Sequence, residues 1–136
     1  MNTREIHEAY NPLAIDVGGD NRFISYLPLN HIFERICIEW TALRYGGSIS
    51  FVESLETFGQ NLADTKPTTF QGVPRIYTKF QEKILAKMSQ KKLNIFLKIP
   101  LVSSLIKKKL KAALGLTEVR VVVSGAAALP VSLIDW

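Results

Sequence analysis

The chain has 136 residues, of which 47% are hydrophobic and 21% charged, a composition that excludes a disordered polar chain. This length predicts one domain at most, or part of a larger one. The formal net charge is +5, and it is distributed unevenly. Residues 79–111 contain ten lysines and one acidic residue, Glu82, so that segment carries +9 and the rest of the chain −4.

The lysine-rich segment, residues 79–111, has three open interpretations. It can form a solvated helical face, which we favour, attract anionic lipid, or bind nucleic acid or an acidic partner. A nucleic-acid footprint would not normally be a block of lysines without arginine. We therefore expect no nucleic-acid partner and leave contact with an anionic membrane surface open.

Cellular location is suggested by what the sequence lacks. The single cysteine, Cys37, excludes an intrachain disulfide, and its place on the apolar side of a predicted helix indicates a small buried hydrophobe. The first twenty residues are polar and acidic, unlike a signal peptide. The longest apolar stretch, residues 93–106, is interrupted by Lys98 and Pro100 and falls short of the roughly 20 residues that span a bilayer. We expect a cytoplasmic protein.

The first predicted element is a strand at Phe23–Leu27, closed by Pro28. Asn30 is expected to cap the following helix, and Gly46 to end it. The apolar face of this helix, with spacings of three and four, consists of Ile32, Phe33, Ile36, Cys37, Trp40 and Leu43. A second strand is predicted at Ser48–Val52.

A second helix is predicted to open at Ser54 and to end at Lys66. Its inward residues are expected to be Leu55, Phe58 and Leu62. Thr68–Gln71 is the third predicted strand, and Pro74 suits the first turn of the next helix, where no amide donor is needed. The apolar stripe of that helix consists of Ile76, Tyr77, Phe80, Ile84 and Met88.

The last third of the sequence continues the alternation. A helix after Pro100, ended by Gly115, has the apolar residues Leu101, Val102, Leu105, Ile106, Leu110 and Ala113. The strand Val119–Val123 is nearly continuous in β-branched residues, as expected when both faces are covered. A small-residue loop, Ser124–Leu129, and a helix starting at Pro130 follow. This order predicts an α/β fold, a mostly parallel sheet with helices on both faces.

Ligands of such a sheet bind beyond the carboxyl ends of its strands. Three stretches lie at these ends and could form one site: residues 28–35, 71–75 and 124–129. His31 falls in a first helical turn, where a neutral imidazole could bond a carbonyl or a phosphate oxygen, or could only satisfy the strand–helix corner. Glu34 and Arg35 are expected to form surface or interdomain ion pairs.

The other two stretches carry small residues. Gly72 in "QGVPR" allows a close backbone approach, and Arg75 could hold an anion or tie down the helix. In "SGAAAL", Gly125, Ala126 and Ala127 have almost no side chain, so a flat ligand could lie against the backbone beside free helix amides. The sequence has no Walker or dinucleotide-binding glycine loop, no G-x-S-x-G elbow and no metal-ligand spacing.

Together, "SYLPLNHIFER", "PTTFQGVPRIYTKF" and "VVVSGAAALP", in this order and spacing, resemble the AMP-forming acyl-CoA synthetases. Within the adenylate-forming superfamily, the resemblance is to the long-chain fatty-acid–CoA ligases. It runs from Asp20 to Trp136, apart from the span around residues 88–98. It implies that the chain is an internal part of the large N-terminal domain of such an enzyme.

The resemblance also implies roles for single residues. His31 would lie near the acyl-adenylate. The loop expected against the adenine and the acyl carbonyl consists of Ser124, Gly125, Ala126 and Ala127. The residues expected beside the acyl tunnel are Gly72, Val73 and Pro74. The family often has proline where this chain has Ala128.

The implied reaction has two steps. ATP, accompanied by Mg²⁺, activates a fatty acid as an acyl-adenylate with release of pyrophosphate, and the thiol of coenzyme A then attacks it. Residues 1–136 would be a partial AMP-binding domain, with the phosphate loop, the ribose-binding aspartate and the C-terminal domain absent. We therefore expect the isolated chain to be inactive. The alternative is a non-catalytic remnant that binds lipid or an acidic partner through its lysine-rich helices.

Overall fold

The computed structural model describes residues 20–135. The prediction that the first twenty residues form no signal peptide therefore falls almost wholly outside the described range. Within it, the strands are β1 (Arg22–Ser25), β2 (Ser48–Phe51), β3 (Thr69–Gly72) and β4 (Val121–Ser124). Helix α1 is continuous and consists of Ile32–Glu34, the π-helical stretch Arg35–Trp40 and Thr41–Tyr45. The remaining helices are α2 (Phe58–Thr65), α3 (Pro74–Lys87), α4 (Gln90–Lys98), α5 (Pro100–Ala113) and α6 (Val131–Ile134).

The strands form two parallel pairs. Strand β1 pairs with β2, Arg22 opposite Ser48, and β3 pairs with β4, Thr69 opposite Val121. The two pairs meet at their amino ends, where the Thr68 amide donates to the Arg22 carbonyl oxygen at 3.0 Å. The predicted parallel α/β arrangement is confirmed, with the backbone bond between the pairs at their amino ends rather than along a continuous ladder.

Helices cover both faces of β1, since successive strand residues point to opposite sides. Phe23 packs with Ile38 and Ala42 of α1 on one face. On the other face, Ile24 packs with helices α2 and α3 and with β3, through Phe58, Leu62, Phe70 and Ile76. This two-sided burial fixes β1 at the centre of the described core.

The buried face of α1 differs from the predicted one. The buried residues are Glu34, Cys37, Ile38, Thr41, Ala42 and Tyr45. In contrast, Ile32, Trp40 and Leu43 are exposed. The true face keeps spacings of three and four but includes two polar residues, so a search for apolar spacing alone misses it. Cys37 is buried, as predicted.

Three further expectations need correction. Helix α2 begins at Phe58 because the side chains of Ser54 and Thr57 bond each other's backbone amides and form a turn before it, which leaves Leu55 exposed. Strand β4 is not covered on both faces by the described chain, since Val122 is exposed. The span around residues 88–98, which had no predicted element, forms α4. Among residues 20–135, no helix combines the length and apolarity needed to cross a bilayer.

Candidate functional site

The carboxyl ends of β1, β3 and β4 lie together, and we call this region the strand-end site (residues 26–35, 71–75 and 124–129). The Gly125 amide donates to the Gly72 carbonyl oxygen at 3.3 Å, which ties the loop after β4 to the end of β3. The Val73 amide donates to the Tyr26 hydroxyl at 3.1 Å, which ties the segment after β3 to the end of β1. Phe33 of α1 packs so closely on Gly125 that a Cβ there would overlap its ring. The three stretches therefore converge.

Two tyrosine hydroxyls fix these strand ends. Tyr77 of α3 donates to the Val123 carbonyl oxygen of β4 at 2.6 Å, and Tyr26 lies 3.4 Å from the Gln71 carbonyl oxygen of β3. Burial raises the pKa of Tyr26 to about 12, and the Glu34 carboxylate adds to the rise while the Val73 amide opposes it. The pKa of Tyr77 is also raised, chiefly by burial. Both phenols are therefore neutral near pH 7 and act as fixed hydrogen-bonding groups.

His31 is the N-cap of α1, the role that the sequence analysis gave to Asn30. Its Nδ1 accepts a hydrogen bond from the Phe33 amide at 3.2 Å, and its own amide donates to the Pro28 carbonyl oxygen at 2.8 Å. Because Nδ1 is an acceptor, the ring proton sits on Nε2. The residue is exposed, so its Nε2–H is available at the site. His31 thus fills the strand–helix corner and still presents a donor.

Glu34 was expected in a surface or interdomain ion pair, and that prediction is wrong. Its side chain is 1% exposed, and its Oε1 accepts a hydrogen bond from the Tyr26 amide at 2.9 Å. Burial raises its pKa, against the opposing effects of the Ser25 hydroxyl and the Tyr26 and Leu27 amides. The carboxyl group thereby holds the turn that leads from β1 to His31. Arg35 does form the surface ion pair, with Glu39 at 3.9 Å.

Gln71 links β3 to the π-helical stretch of α1. Its side-chain Nε2 donates to the Cys37 carbonyl oxygen within that stretch. Its Oε1, like the Oε2 of Glu34, is buried without a hydrogen-bond donor among residues 20–135. π-Helical turns inside α-helices occur frequently at functional sites. The end of β3 is therefore tied to α1 by a buried side-chain hydrogen bond.

The small-residue loop is open on its outer side. Ser124, Ala126 and Ala127 are exposed, and Gly125 is half-buried beneath Phe33. Ala126 has a φ of 65°, in the left-handed region that few residues other than glycine adopt. Such a conformation costs about 1–3 kcal/mol and clusters at ligand sites. A flat ligand can reach this backbone without meeting a long side chain.

The three residues predicted beside an acyl tunnel lie at the end of β3, where the Gly72 carbonyl oxygen accepts a hydrogen bond from the Gly125 amide. Gly72 is buried, and a Cβ on it would come within 2.8 Å of the Tyr77 ring. Val73 and Pro74 are half-buried. Of the residues that the sequence analysis proposed for ligand contact, His31, Ser124, Ala126 and Ala127 are exposed, whereas Gly72 has a supporting position.

Sequence reasoning missed the roles of four residues in or beside the strand-end site: Tyr26, Glu34, Gln71 and Tyr77. Each was counted as part of a strand, a stripe or a surface. Their common signal is a polar group at a buried or half-buried position in β3 or in the segments that follow β1 and β3, where buried polar atoms need partners. No group of three His, Cys, Asp or Glu side chains suited to a metal occurs in the part of the chain that the structure describes.

Comparison with known proteins places this geometry in context. The chain matches the family described as AMP-binding enzyme over residues 1–136. It is 39% identical over 66 residues to a long-chain-fatty-acid–CoA ligase of Xenopus laevis, covering 46% of this chain and 9% of the relative. It is 38% identical over 64 residues to a human long-chain-fatty-acid–CoA ligase, covering 45% of this chain and again 9% of the relative.

Two solved structures share the fold. The A-PCP didomain of the carboxylic acid reductase from Segniliparus rugosus, a complex with AMP, superposes with a TM-score of 0.63 at 26% identity and covers 85% of this chain and 16% of its own. The adenylation domain of a Mycobacterium chelonae carboxylate reductase gives a TM-score of 0.62 at 20% identity, covering 85% and 18%. The chain thus spans a small part of the proteins it resembles.

Proposed function

Because the chain belongs to the AMP-binding enzyme family, we propose that its strand-end site forms part of the adenylate site of a long-chain fatty-acid–CoA ligase. The family membership inferred from the three sequence motifs is confirmed. The substrate class is our proposal, and it is supported by the similarity to two long-chain-fatty-acid–CoA ligases. The aligned region is 9% of either relative, and the activity of the whole enzyme is likewise our proposal.

The proposed reaction uses ATP, a long-chain fatty acid and coenzyme A. The carboxylate attacks the α-phosphorus of ATP, pyrophosphate leaves, and the thiol of coenzyme A then displaces AMP from the acyl-adenylate. Mg²⁺ would enter with the ATP phosphates. The proposed role of this chain is to present a backbone wall and one hydrogen-bond donor to the adenylate.

The observation that carries this proposal is the convergence of the small-residue loop, the end of β3 and the N-terminus of α1. The adenine would lie against residues 124–127, whose outer side is open. The Nε2–H of His31, oriented by its Nδ1 bond to the Phe33 amide, would donate to a carbonyl or phosphate oxygen of the acyl-adenylate. A donor fixed in advance is worth more to a developing negative charge than a mobile one.

We also propose that the 136-residue chain does not turn over by itself. Its sequence contains no phosphate-binding glycine loop, and stabilisation of phosphoryl charge is usually a large part of such catalysis. An ATP–pyrophosphate exchange assay with palmitate tests this point. Exchange above the no-enzyme rate would contradict it.

Binding of a non-reactive acyl-adenylate analogue tests the site itself. We expect an acyl-sulfamoyl adenosine to bind the chain in isothermal titration calorimetry. His31→Asn keeps a capping oxygen but removes the Nε2–H, and we expect it to weaken binding about tenfold, the cost of one charge-assisted hydrogen bond.

His31→Ala serves as the comparison variant, because it removes both the cap and the donor. It should weaken binding at least as much and also lower stability by about 1 kcal/mol. Equal binding by wild type and His31→Asn would limit His31 to its capping role. No binding of the analogue to wild type would overturn the proposed site.

A further inference from the structure

Helices α4 and α5 form a hairpin, which we call the lysine hairpin (residues 90–113), with an unusual outer surface. Among its residues, Leu101 is 88% exposed, Ile95 59%, Leu105 55% and Ile99 45%. All four apolar side chains fall within residues 95–105. The hairpin therefore places a short run of large apolar groups in contact with solvent.

The hairpin also has a packed inner face. Leu93 of α4 and Ser103 of α5 are buried at 3% and 8% exposure, and Val102, Ile106 and Leu110 are half-buried. The inner faces of α4 and α5 thus pack on each other. Ile95, Ile99, Leu101 and Leu105 belong to a second face that the described residues do not cover.

Lysines flank this second face. Lys91 lies one helical turn before Ile95, and Lys108 and Lys109 lie about one turn after Leu105. Lys98 stands between the two pairs of apolar residues. All of these lysines are exposed, and none of the ten in residues 79–111 forms an ion pair with any residue from 20 to 135. Their charge is therefore available to an outside partner.

A neighbouring groove repeats this chemistry. A cavity of about 200 Å³ lies between α3 and α5. Its apolar lining consists of Ile84, Met88, Leu110, Ala113 and Leu114, and its charged lining of Lys83, Lys87 and Lys109. Apolar surface bordered by lysine is thus a feature of the whole helical segment.

We propose that the lysine hairpin is a docking surface for an anionic lipid bilayer. Ile95, Ile99, Leu101 and Leu105 would enter the boundary between headgroups and acyl chains, while the lysine stems reach along them and keep their ammonium groups among the phosphates. Charge complementarity selects this partner, because the hairpin has seven lysines and no acidic residue, a charge of +7, and the lipid surface is negative. Peripheral binding of this kind needs no membrane-spanning helix.

The lysines and the exposed aliphatic side chains together favour a membrane over other acidic partners. An acidic protein or a polynucleotide would use the lysines but gain little from four exposed aliphatic side chains. A neutral apolar partner, such as another segment of a longer chain, would gain little from the lysines. A bilayer of anionic lipid uses both, so binding to it should depend on charge and on apolar contact together.

Vesicle co-sedimentation of the 136-residue chain tests the proposal. We expect binding to phosphatidylcholine vesicles that contain about 30% phosphatidylserine, weak binding to pure phosphatidylcholine, and weakening as salt rises. The pair Leu101→Gln and Leu105→Gln should reduce partitioning by about tenfold or more. Each lysine neutralised near the lipid surface should reduce it about fivefold, so Lys98→Gln with Lys108→Gln should reduce it about 25-fold.

Matched control variants distinguish the effect of losing hairpin residues from the effect of lowering the total charge of the protein. Arg44→Gln with Lys66→Gln removes the same two charges from exposed positions outside the hairpin, and Leu55→Gln removes an exposed leucine there. These controls should bind as wild type does, and circular dichroism should confirm that every variant is folded. Equal losses in hairpin and control variants, or no binding of wild type to anionic vesicles, would overturn the proposal.

Two further outcomes would overturn the proposal by assigning the surface to another partner. Binding that depends on the lysines but not on Leu101 and Leu105 would indicate an acidic macromolecule. Insensitivity to salt together with dependence on the leucines would indicate an apolar protein contact. Because these assays use no nucleotide, they can fail while the acyl-sulfamoyl adenosine still binds, and the reverse also holds.

Discussion

The strand-end site and the lysine hairpin differ in which side chains they bury and which they expose to solvent. At the strand ends, buried or half-buried side chains form hydrogen bonds with nearby backbone, as Tyr26, Glu34 and Tyr77 do. On the hairpin, apolar groups such as Leu101 are exposed between lysines that pair with no described acidic residue. The geometry of the strand-end site is fixed by directional hydrogen bonds. The surface of the lysine hairpin consists of flexible side chains that can adjust to a partner.

This contrast separates two kinds of binding. Fixed backbone and fixed donors suit a ligand of defined shape, since little ordering is needed when it binds. Flexible lysine stems and aliphatic side chains suit a partner without fixed shape. The free energy of unfolding can be compared between variants of the two regions. We expect substitutions in and beside the strand-end site to lower it much more than substitutions in the lysine hairpin.

The largest loss of stability is expected for Gly72→Ala. A Cβ at this position would come within 2.8 Å of the Tyr77 ring and displace the hydroxyl that bonds Val123. Overpacking and the lost hydrogen bond together should cost about 3 kcal/mol in urea unfolding. Gly59→Ala is the control: its Cβ would meet nothing nearer than 3.7 Å, and it should stabilise helix α2 by about 0.5–1 kcal/mol. A harmless Gly72→Ala would mean that the ring does not fix this strand end.

Tyr26→Phe should have the next largest effect. It removes the hydroxyl that accepts from the Val73 amide and leaves that donor without its partner. We expect a loss of about 1–2 kcal/mol at neutral pH. An unchanged free energy of unfolding would show that the bond between the ends of β1 and β3 is dispensable.

Tyr26→Phe should also change how the free energy of unfolding depends on pH in the alkaline range. The folded pKa of Tyr26 is about 12 against an ordinary value of 10.0, so the folded state holds this proton more tightly than the unfolded state. Its contribution is complete below pH 10 and is lost as the pH rises from 10 to about 12. Tyr26→Phe should therefore be less sensitive to pH in that window, as followed by fluorescence or circular dichroism.

Glu34→Gln should act in the acidic range. Burial raises the pKa of Glu34 above its ordinary value of 4.5, so the folded state binds this proton more tightly. Stability contributed by Glu34 is full below about pH 4.5 and falls as the pH rises through the raised pKa. The glutamine side chain keeps an acceptor for the Tyr26 amide without a charge, so the variant should be at least as stable as wild type at neutral pH and lack this dependence.

The opposite pH trend would change the account of Glu34. If wild type gained stability on going from about pH 4 to pH 7 and Glu34→Gln abolished the gain, the ionised carboxylate would be the favoured form in the folded state. The Ser25 hydroxyl and the amides of Tyr26 and Leu27 would then outweigh burial. The charge of Glu39 also raises the pKa of Glu34, and Glu39→Gln removes that contribution separately.

The sequence predicted the fold well because strand residues such as Phe23 and Phe70 are apolar and regularly spaced between turn signals. It also indicated which segments meet, since the carboxyl ends of parallel strands share one side. It failed on the face of α1, where Glu34 and Thr41 are buried. Such residues are buried only because other backbone groups, including the Tyr26 amide and the Ile36 carbonyl oxygen, supply their hydrogen bonds.

The role of His31 shows the same limit at the strand-end site. The sequence left it undecided between a corner residue and a ligand contact, and the structure shows that one imidazole can do the first with Nδ1 while Nε2 stays available. That division depends on the conformation of residues 28–33, which no spacing rule specifies. The sequence also did not predict which apolar residues of the lysine hairpin are exposed. The apolar stripe predicted for α5 does not distinguish the residues that face the protein from those that face solvent.

The smallest effect on stability is expected for the hairpin pair Lys98→Gln and Lys108→Gln. Both side chains are exposed and neither pairs with a described acidic residue, so their removal should change the free energy of unfolding by less than about 0.5 kcal/mol. Lys108 lies among other lysines, and weaker repulsion should make the change slightly stabilising at low salt and negligible above about 0.5 M. The same variant should bind anionic vesicles far less well than wild type. A loss of stability above about 1 kcal/mol would instead make these lysines structural, and the two regions would then differ less than their contacts indicate.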